Sequence, residues 1–360
     1  MDPIERRDLV PPRELTRAFF RATQPHLSHE RFERKWQKGF ESPLRFFRAF
    51  PQAYYLDLTQ VPVEHVPGHE DLCFGDLHPE NFGFLVFGGV PHYVFNDLDD
   101  AGRAEVGLDA LRWFVAHRLW DGDEKATFAL IDHYRDVMRD PRIAVAIDPA
   151  LAPDPVRLRS KQLAKLVDGR SLVRSARTLL ADADAGERAI VEEAFRASAP
   201  LDGLRLLDVA ERERDHGGSG GLRRFWALVE DREGALDVLE LKELAKPSTA
   251  WGHWHTMLED RIAVVRDRVW RGLPVQDHFT VVLGRSEFLV RSRTTRASLD
   301  LEGLSGRARR EVLKVQVGIM ACHHRASFAP EEMQPLDDWL QESTRVVAER
   351  WLDVYERLVR

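Results

Sequence analysis

From Asp71 the chain reads DLCFGDLHPENFGFLVFGGVPHYVFNDLDDAG, and this stretch decides the fold. Segment 71–100 runs as a short apolar strand, a polar loop, a second apolar strand, the Gly88-Gly89 turn and a third strand. A loop rich in Asp, His and Asn between apolar strands is unusual for packing alone. One such motif is explained by Asp and Asn side chains bonding their own backbone in a turn. Two of them, Gly75-Asp76-Leu77-His78-Pro79-Glu80-Asn81 and Asn96-Asp97-Leu98-Asp99-Asp100, stand a hairpin's length apart and point to chemistry.

Around this hairpin the pattern is mostly helical. Residues 13–60 carry an aromatic face (Phe19, Phe20, Phe32, Trp36, Phe40, Phe46, Phe47 and Tyr54) broken at Pro25, Pro43 and Pro51. Residues 107–139 place Leu108, Leu111, Val115 and Leu119 at helical spacing. Residues 141–156 hold four prolines and form a connection, and 157–198 are expected to be helical. Residues 204–244 form a second β region of three apolar runs, split by a glycine cluster and the Arg232–Gly234 turn. An amphipathic helix over 252–271, strands at 279–283 and 287–291, and helices over 306–360 complete the chain. There is no internal repeat and no low-complexity stretch.

Composition narrows the function classes. The 360 residues hold 52 Lys+Arg against 59 Asp+Glu, a net charge of -7, with 44% hydrophobic residues. That suits a globular chain with a large core and argues against a dedicated nucleic-acid binder, which carries a basic excess. Cys73 and Cys322 are too few for a disulfide framework or a four-cysteine zinc site. No apolar run has the length of a membrane span, and the charged, proline-broken N-terminus is unlike a signal peptide. A cytoplasmic protein without membrane or nucleic-acid partners is expected.

The two acidic motifs suit phosphoryl transfer. That reaction needs an acid to take the acceptor hydroxyl's proton and oxygen ligands to hold Mg²⁺ against nucleotide phosphates. Asp76 is the candidate base, and Asn81, five residues on in the same loop, is a candidate metal ligand. Asp97 at the end of the hairpin is a second, and Asp99 lies two residues beyond on the same side of an extended strand. A second constellation begins at His216 with Gly217, Gly218, Ser219, Gly220 and Gly221. Glycines let backbone N–H groups approach phosphates, although alone such a cluster reads as a flexible hairpin. Strand 236–241 leads to Lys242, and Glu259 follows on the amphipathic helix. Glycine hairpin, strand lysine and helix glutamate make the nucleotide-clamping half of a kinase-like site. Taken separately, Lys242 reads equally as a solvated strand end and Glu259 as an exposed helix residue.

These halves stand in the reverse of the usual kinase order, since Asp76 precedes Lys242. FGDLHPENFG and FNDLDDAG resemble the catalytic and metal segments of aminoglycoside phosphotransferase-like kinases. The whole chain is more specifically similar to the uncharacterised bacterial family named domain of unknown function 2252. The similarity runs over most of residues 40–330, through SPLRFFRAF (42–50), GLDALRWFVA (107–116), LELKELAKPS (239–248), MLEDRIAVV (257–265) and FLVRSR (288–293). The resemblance implies an α+β, two-lobed protein-kinase-like fold, circularly permuted. Residues 1–200 would form the large lobe, 201–300 the small nucleotide-clamping β lobe, and 301–360 C-terminal helices returning to the large lobe. LKVQVGIMACHHRASF (313–328) resembles the apolar helix that precedes a kinase catalytic loop. Asp109 would be the buried acid bracing that loop. His216 stands where such glycine loops usually begin with Gly.

The expected function is ATP- and Mg²⁺-dependent phosphoryl transfer to a hydroxyl of an unidentified small-molecule or protein acceptor. Asp76 would act as base, Asn81, Asp97 and Asp99 as metal ligands, and Gly217, Gly218, Ser219, Gly220, Gly221, Lys242 and Glu259 as nucleotide ligands. A regulatory nucleotide-binding module without turnover and a nucleotidyl (AMP) transferase on the same fold are the alternatives. A metal-dependent hydrolase built on Asp76, His78, His92 and Asp97 leaves the glycines and Lys242 unexplained. His78 reads as structural, and His253, His255, His323 and His324 lack a zinc spacing. Arg291, Arg293 and Arg296 read as an arginine-rich edge strand, with contact to an anionic substrate as the alternative.

Overall fold

The computed structural model describes residue 4 and residues 14–360, apart from 177, 213–216, 255–257, 259, 271–272, 274–277 and 334. The chain forms α1 (Arg17–Ala22), α2 (His29–Gly39), α3 (Pro43–Ala49), α4 (Pro51–Leu58), β1 (Glu70–Cys73), β2 (Phe82–Phe87), β3 (Val90–Phe95), β4 (Gly102–Glu105), α5 (Val106–Asp121) and α6 (Glu124–Arg139). Next come α7 (Pro155–Leu166), β5 (Val167–Asp168), β6 (Ser171–Leu172), β7 (Leu180–Asp182), α8 (Ala185–Ala197), β8 (Arg205–Arg212), β9 (Arg224–Glu230) and β10 (Leu236–Glu243). The rest is α9 (Arg261–Val269), β11 (Phe279–Leu283), β12 (Ser286–Ser292), β13 (Arg296–Ser298), α10 (Gly306–His324) and α11 (Leu336–Val359). The class is α+β.

The main core is helical and aromatic. α5 is buried on every side from Val106 to His117, so over these residues it exposes no face to water and lies at the centre. Phe20, Phe46, Phe47 and Trp351 meet as tilted and edge-on ring pairs, with Phe47 and Trp351 centroids 4.8 Å apart. Ser28 caps α2 and Ser42 caps α3, each accepting from a backbone N–H three residues on, and Pro43 and Pro51 begin their helices.

A six-stranded antiparallel sheet, ordered β11-β12-β10-β9-β8-β7, forms the second layer. Alternation along each strand assigns its faces. Leu239 and Leu241, with Phe225, Ala227 and Val290, pack beneath Val191 and Ala194 of α8. Val238, Trp226 and Leu228 face the other way, against Leu166 and Leu172. Glu240 and Lys242 continue that second face, so it turns from apolar to charged along β10.

Two readings change here. The helical expectation over 157–198 gives way to α7 and α8 with the β5–β6 hairpin and β7 between them, because Leu172 and Leu180 are drawn into the sheet core. Both helices pack on this sheet. The 252–271 helix is shorter, Arg261–Val269, and follows a 3₁₀ turn at Ser248–Trp251.

β1 pairs with β4 and closes residues 74–101 into a single excursion. Within it, β2 pairs with β3 from Phe82↔Phe95, and β13 pairs with β2, so the chain passes from the large sheet straight onto the hairpin. Among the described residues, no helix is long and apolar enough to cross a membrane.

Candidate active site

The hairpin register sets the site. Because Phe82 lies opposite Phe95, the loops on either side of the hairpin emerge together, and Asn96 N–H donates to the Asn81 carbonyl at 2.9 Å. At Gly75 the backbones of the two loops come close together. Its φ is +83°, and a Cβ there would lie 1.9 Å from the Asp100 carbonyl oxygen, so only glycine fits.

Asp109, fully buried on α5, holds the first loop. Its Oδ2 accepts from Phe74 N–H at 2.7 Å, and its Oδ1 accepts from Gly75 N–H at 2.9 Å and from the Tyr55 hydroxyl at 3.0 Å. His324 Nε2, at the end of α10, lies 3.2 Å from Oδ2, and the Tyr134 hydroxyl lies 2.8 Å from its Nδ1. Burial pushes the Asp109 carboxyl up, but the bond and charge of His324 and the two amides outweigh it and hold it below the usual range.

Asp76 follows directly. Its Oδ1 accepts from Arg112 Nη2 at 2.5 Å. The Arg112 guanidinium is buried over the Phe47 ring, with its carbon 4.4 Å from the centroid. Asp76 Oδ2 faces Gly218, where a Cβ would lie 3.1 Å away, and His78 Nε2 is 3.7 Å from it. Asn81 Nδ2 donates to the Asp76 carbonyl at 2.9 Å. His78 caps the 3₁₀ turn at Pro79–Asn81, its Nδ1 accepting from Glu80 N–H.

The second motif meets the large sheet. Lys242 Nζ is 3.0 Å from Asp97 Oδ1 and 2.6 Å from Asp99 Oδ2. Arg291 Nη1 donates to Asp97 Oδ1 at 2.9 Å. Burial pushes Asp97 up, yet Lys242 and Arg291 outweigh it and hold the carboxyl well below the usual range. Asp99 moves the other way, raised by burial and by the neighbouring Asp97. Burial, Asp99 and Asp76 together push Asp100 up to about 7.

The predicted residues therefore converge from two distant parts of the chain. Asp76, Asn81, Asp97 and Asp99 share one end of the hairpin. Lys242 reaches it from β10, and Gly218 lies against both Asp76 and Asp100. Ser219 accepts from Arg224 Nη2 at 3.1 Å through its hydroxyl. Gly217 and Gly221 adopt positive φ, at either end of the glycine segment. Glu259 and His216 lie outside the described residues. Arg261 donates to the Asp99 and Ala245 carbonyls, tying the start of α9 to the metal-type loop. Arg291 is not on an edge. β12 runs between β11 and β10, and Arg291 Nε donates to the buried Glu240 at 2.7 Å.

Sequence reasoning missed Lys35, Arg112 and Glu240. Lys35 Nζ donates to the Gly218 carbonyl at 2.6 Å and to Gln24 Oε1 at 2.8 Å. Burial lowers it to about 7, against the opposing pull of Asp100, Asp76 and Asp99. The signal existed: Phe32, Lys35, Trp36 and Gly39 fall on one helical stripe, so Lys35 holds a core position. Glu240 likewise interrupts the inner-face alternation of β10.

The fit to a divalent cation rests on oxygen donors. Among the described residues, no group of three or more His, Cys, Asp or Glu side chains is arranged to hold a metal ion alone. Mg²⁺ needs no such cage, since it is commonly held by one or two carboxylates together with phosphate oxygens. Asp97 and Asp99 approach closely enough to hydrogen-bond through their side chains, and Asn81 adds an amide oxygen on the adjoining loop. These residues fit the ion.

Residues 27–120 match the model of a family described as "Uncharacterized protein conserved in bacteria (DUF2252)". The matched segment holds Lys35, both acidic motifs, Asp109 and Arg112. No curated protein and no solved structure matches the chain.

Proposed function

We propose that this protein is an ATP- and Mg²⁺-dependent phosphotransferase with a circularly permuted kinase-like architecture, acting on a hydroxyl acceptor. The observation that carries the reading is the meeting of Lys242 with Asp97 and Asp99, 2.6–3.0 Å apart though about 145 residues separate them in sequence. A strand lysine, a carboxylate pair, a loop aspartate and a glycine segment in one place are the parts that phosphoryl transfer needs.

In this reading Arg112 occupies Asp76 Oδ1 and fixes the carboxylate's orientation. Asp76 Oδ2 takes the acceptor's proton as its oxygen forms a bond to the terminal phosphorus and the bond to the departing ADP oxygen breaks. Bound Mg²⁺, held by Asp97, Asp99 and Asn81, supplies positive charge against the phosphates. Lys242 is a fixed cation for the same phosphates, and the Gly218 segment covers them. Asp109 keeps Gly75 and Asp76 in place through backbone bonds. Catalysis rests on positioning and charge rather than on a covalent intermediate.

The test is mass spectrometry of products after incubation with ATP, Mg²⁺ and a metabolite extract, using the wild type and Asp76→Asn. Turnover should fall by roughly 10²–10⁴ in the variant while ATP affinity stays within severalfold. Undiminished turnover in Asp76→Asn would remove Asp76 as the base. ATP binding without any product would favour a regulatory role.

A further inference from the structure

Among the described residues, the inner face of the large sheet carries more positive charge than its neighbours neutralise. Arg224 Nη1 and Arg291 Nε both donate to the fully buried Glu240, at 2.8 and 2.7 Å. Arg293 stands 3.9 Å from the same carboxylate. The guanidinium carbons of Arg212 and Arg293 lie 5.1 and 5.4 Å from the buried Trp226 ring. Arg296 Nη2 donates to the Asn96 carbonyl at 3.0 Å, beside Asp97.

Five guanidiniums and the Lys242 ammonium thus gather around three carboxylates: Glu240, Asp97 and Asp99. Gathering like charges in a dry place is costly without a counter-charge. The hydrogen-bond accounting points the same way. Arg224 Nε, Arg293 Nε and Arg296 Nη1 are buried and, among the described residues, find no acceptor. Burial with the neighbouring guanidiniums depresses Arg296 well below its ordinary value, and burial lowers Arg212 to about 10. The site is reachable, since 30% of the Arg293 side chain is exposed.

We infer that Arg212, Arg293 and Arg296, beside Trp226, form an anion subsite that holds a phosphate group of the acceptor, separate from the nucleotide phosphates at Lys242. Guanidinium groups match phosphate oxygens in pairs; Arg293 and Arg296 each bring an unused buried N–H group, and Arg212 brings a guanidinium beside Trp226 that has no carboxylate partner among the described residues. The assignment of this anion to the acceptor rests on the phosphotransfer reading; the anion subsite itself does not.

The experiment is titration calorimetry with inorganic pyrophosphate at about 0.15 M salt, with and without saturating MgATP, on the wild type, Arg293→Gln and Arg212→Gln. Pyrophosphate should bind the wild type in both conditions. Each variant should bind it at least about tenfold more weakly, the worth of one charged hydrogen bond. Thermal melting of the free protein supplies a control for folding. Removing one member of a self-repelling cluster should leave the melting temperature unchanged or raise it, whereas a purely structural arginine would lower it. No pyrophosphate binding, or undiminished binding in both variants, overturns the subsite. Complete displacement by MgATP assigns the cluster to the nucleotide and overturns its role toward the acceptor. Pyrophosphate binding that the variants weaken, in a protein that binds no MgATP, keeps the subsite and defeats the phosphotransfer reading.

Discussion

Asp109→Asn gives the sharpest test of how the loop at Gly75-Asp76 is held. The carboxylate accepts from two backbone amides, Phe74 and Gly75, and from Tyr55, with His324 against its other oxygen. The amide keeps its shape but turns one acceptor into a donor. Tyr55 and His324 can reorient to accept; a backbone N–H cannot. One buried amide is left facing a donor, at ~1–3 kcal/mol, and three other bonds lose their charge assistance, at ~0.5–1 kcal/mol each. The expected loss is about 3–6 kcal/mol, a large share of the ~5–15 kcal/mol that holds most domains folded. Urea unfolding at pH 7 measures it, and hydrogen exchange should show the Phe74 and Gly75 amides opening faster. The sign with pH follows from the lowered carboxyl. Its stabilisation is fully present above the ordinary value of 3.8 and is lost as pH falls through the lower folded value. The carboxyl's own protonation should therefore shrink the difference between wild type and variant only in strong acid. A loss below about 1 kcal/mol at pH 7 would refute the brace, because an orphaned buried amide alone costs that much.

Three other outcomes are expected. Lys35 drops from 10.5 to about 7 in the folded protein, so the unfolded chain binds more protons across that interval and stability should rise with pH through it. The rise is at most about 5 kcal/mol, and urea unfolding at pH 7 and pH 9.5 should show it flattened in Lys35→Met. Gly218→Ala places a methyl 3.1 Å from Asp76 Oδ2 and 3.3 Å from Pro51 Cγ, a misfit of a few tenths of an ångström; stability should change by less than about 1 kcal/mol while turnover falls at least about tenfold. Asp97→Asn should weaken the Mg²⁺-dependent part of ATP binding, since an amide is a poorer ligand for a hard cation; equal calorimetric affinity in variant and wild type, both with Mg²⁺, would remove Asp97 from the metal site.

The sequence by itself determined the hairpin and its two polar loops. Two short apolar runs joined by Gly88-Gly89 make a tight hairpin, and its register brings Asn81 beside Asn96. It also determined α5, since Leu108, Leu111, Val115 and Leu119 recur at helical spacing, but its burial on every side, Asp109 and Arg112 included, came from the packing around it. Where local pattern and tertiary demand differed, the pattern misled. Leu172 and Leu180 fit a helical stripe as well as a strand, and the open side of the large sheet drew them into strands. Arg291 reads as an edge residue in a run of arginines. Its burial follows from β11 pairing outside β12 and from Glu240 standing opposite it. Motif order and resemblance put Lys242 in one site with Asp97 and Asp99; tertiary structure alone decided that they would pair directly, that Lys35 would reach Gly218, and that, among the described residues, one sheet face would gather guanidiniums without matching carboxylates. Periodicity reports which face of an element turns inward. Which distant face it meets depends on how the layers stack, and the charges that meet there belong to residues with no local reason to be near one another.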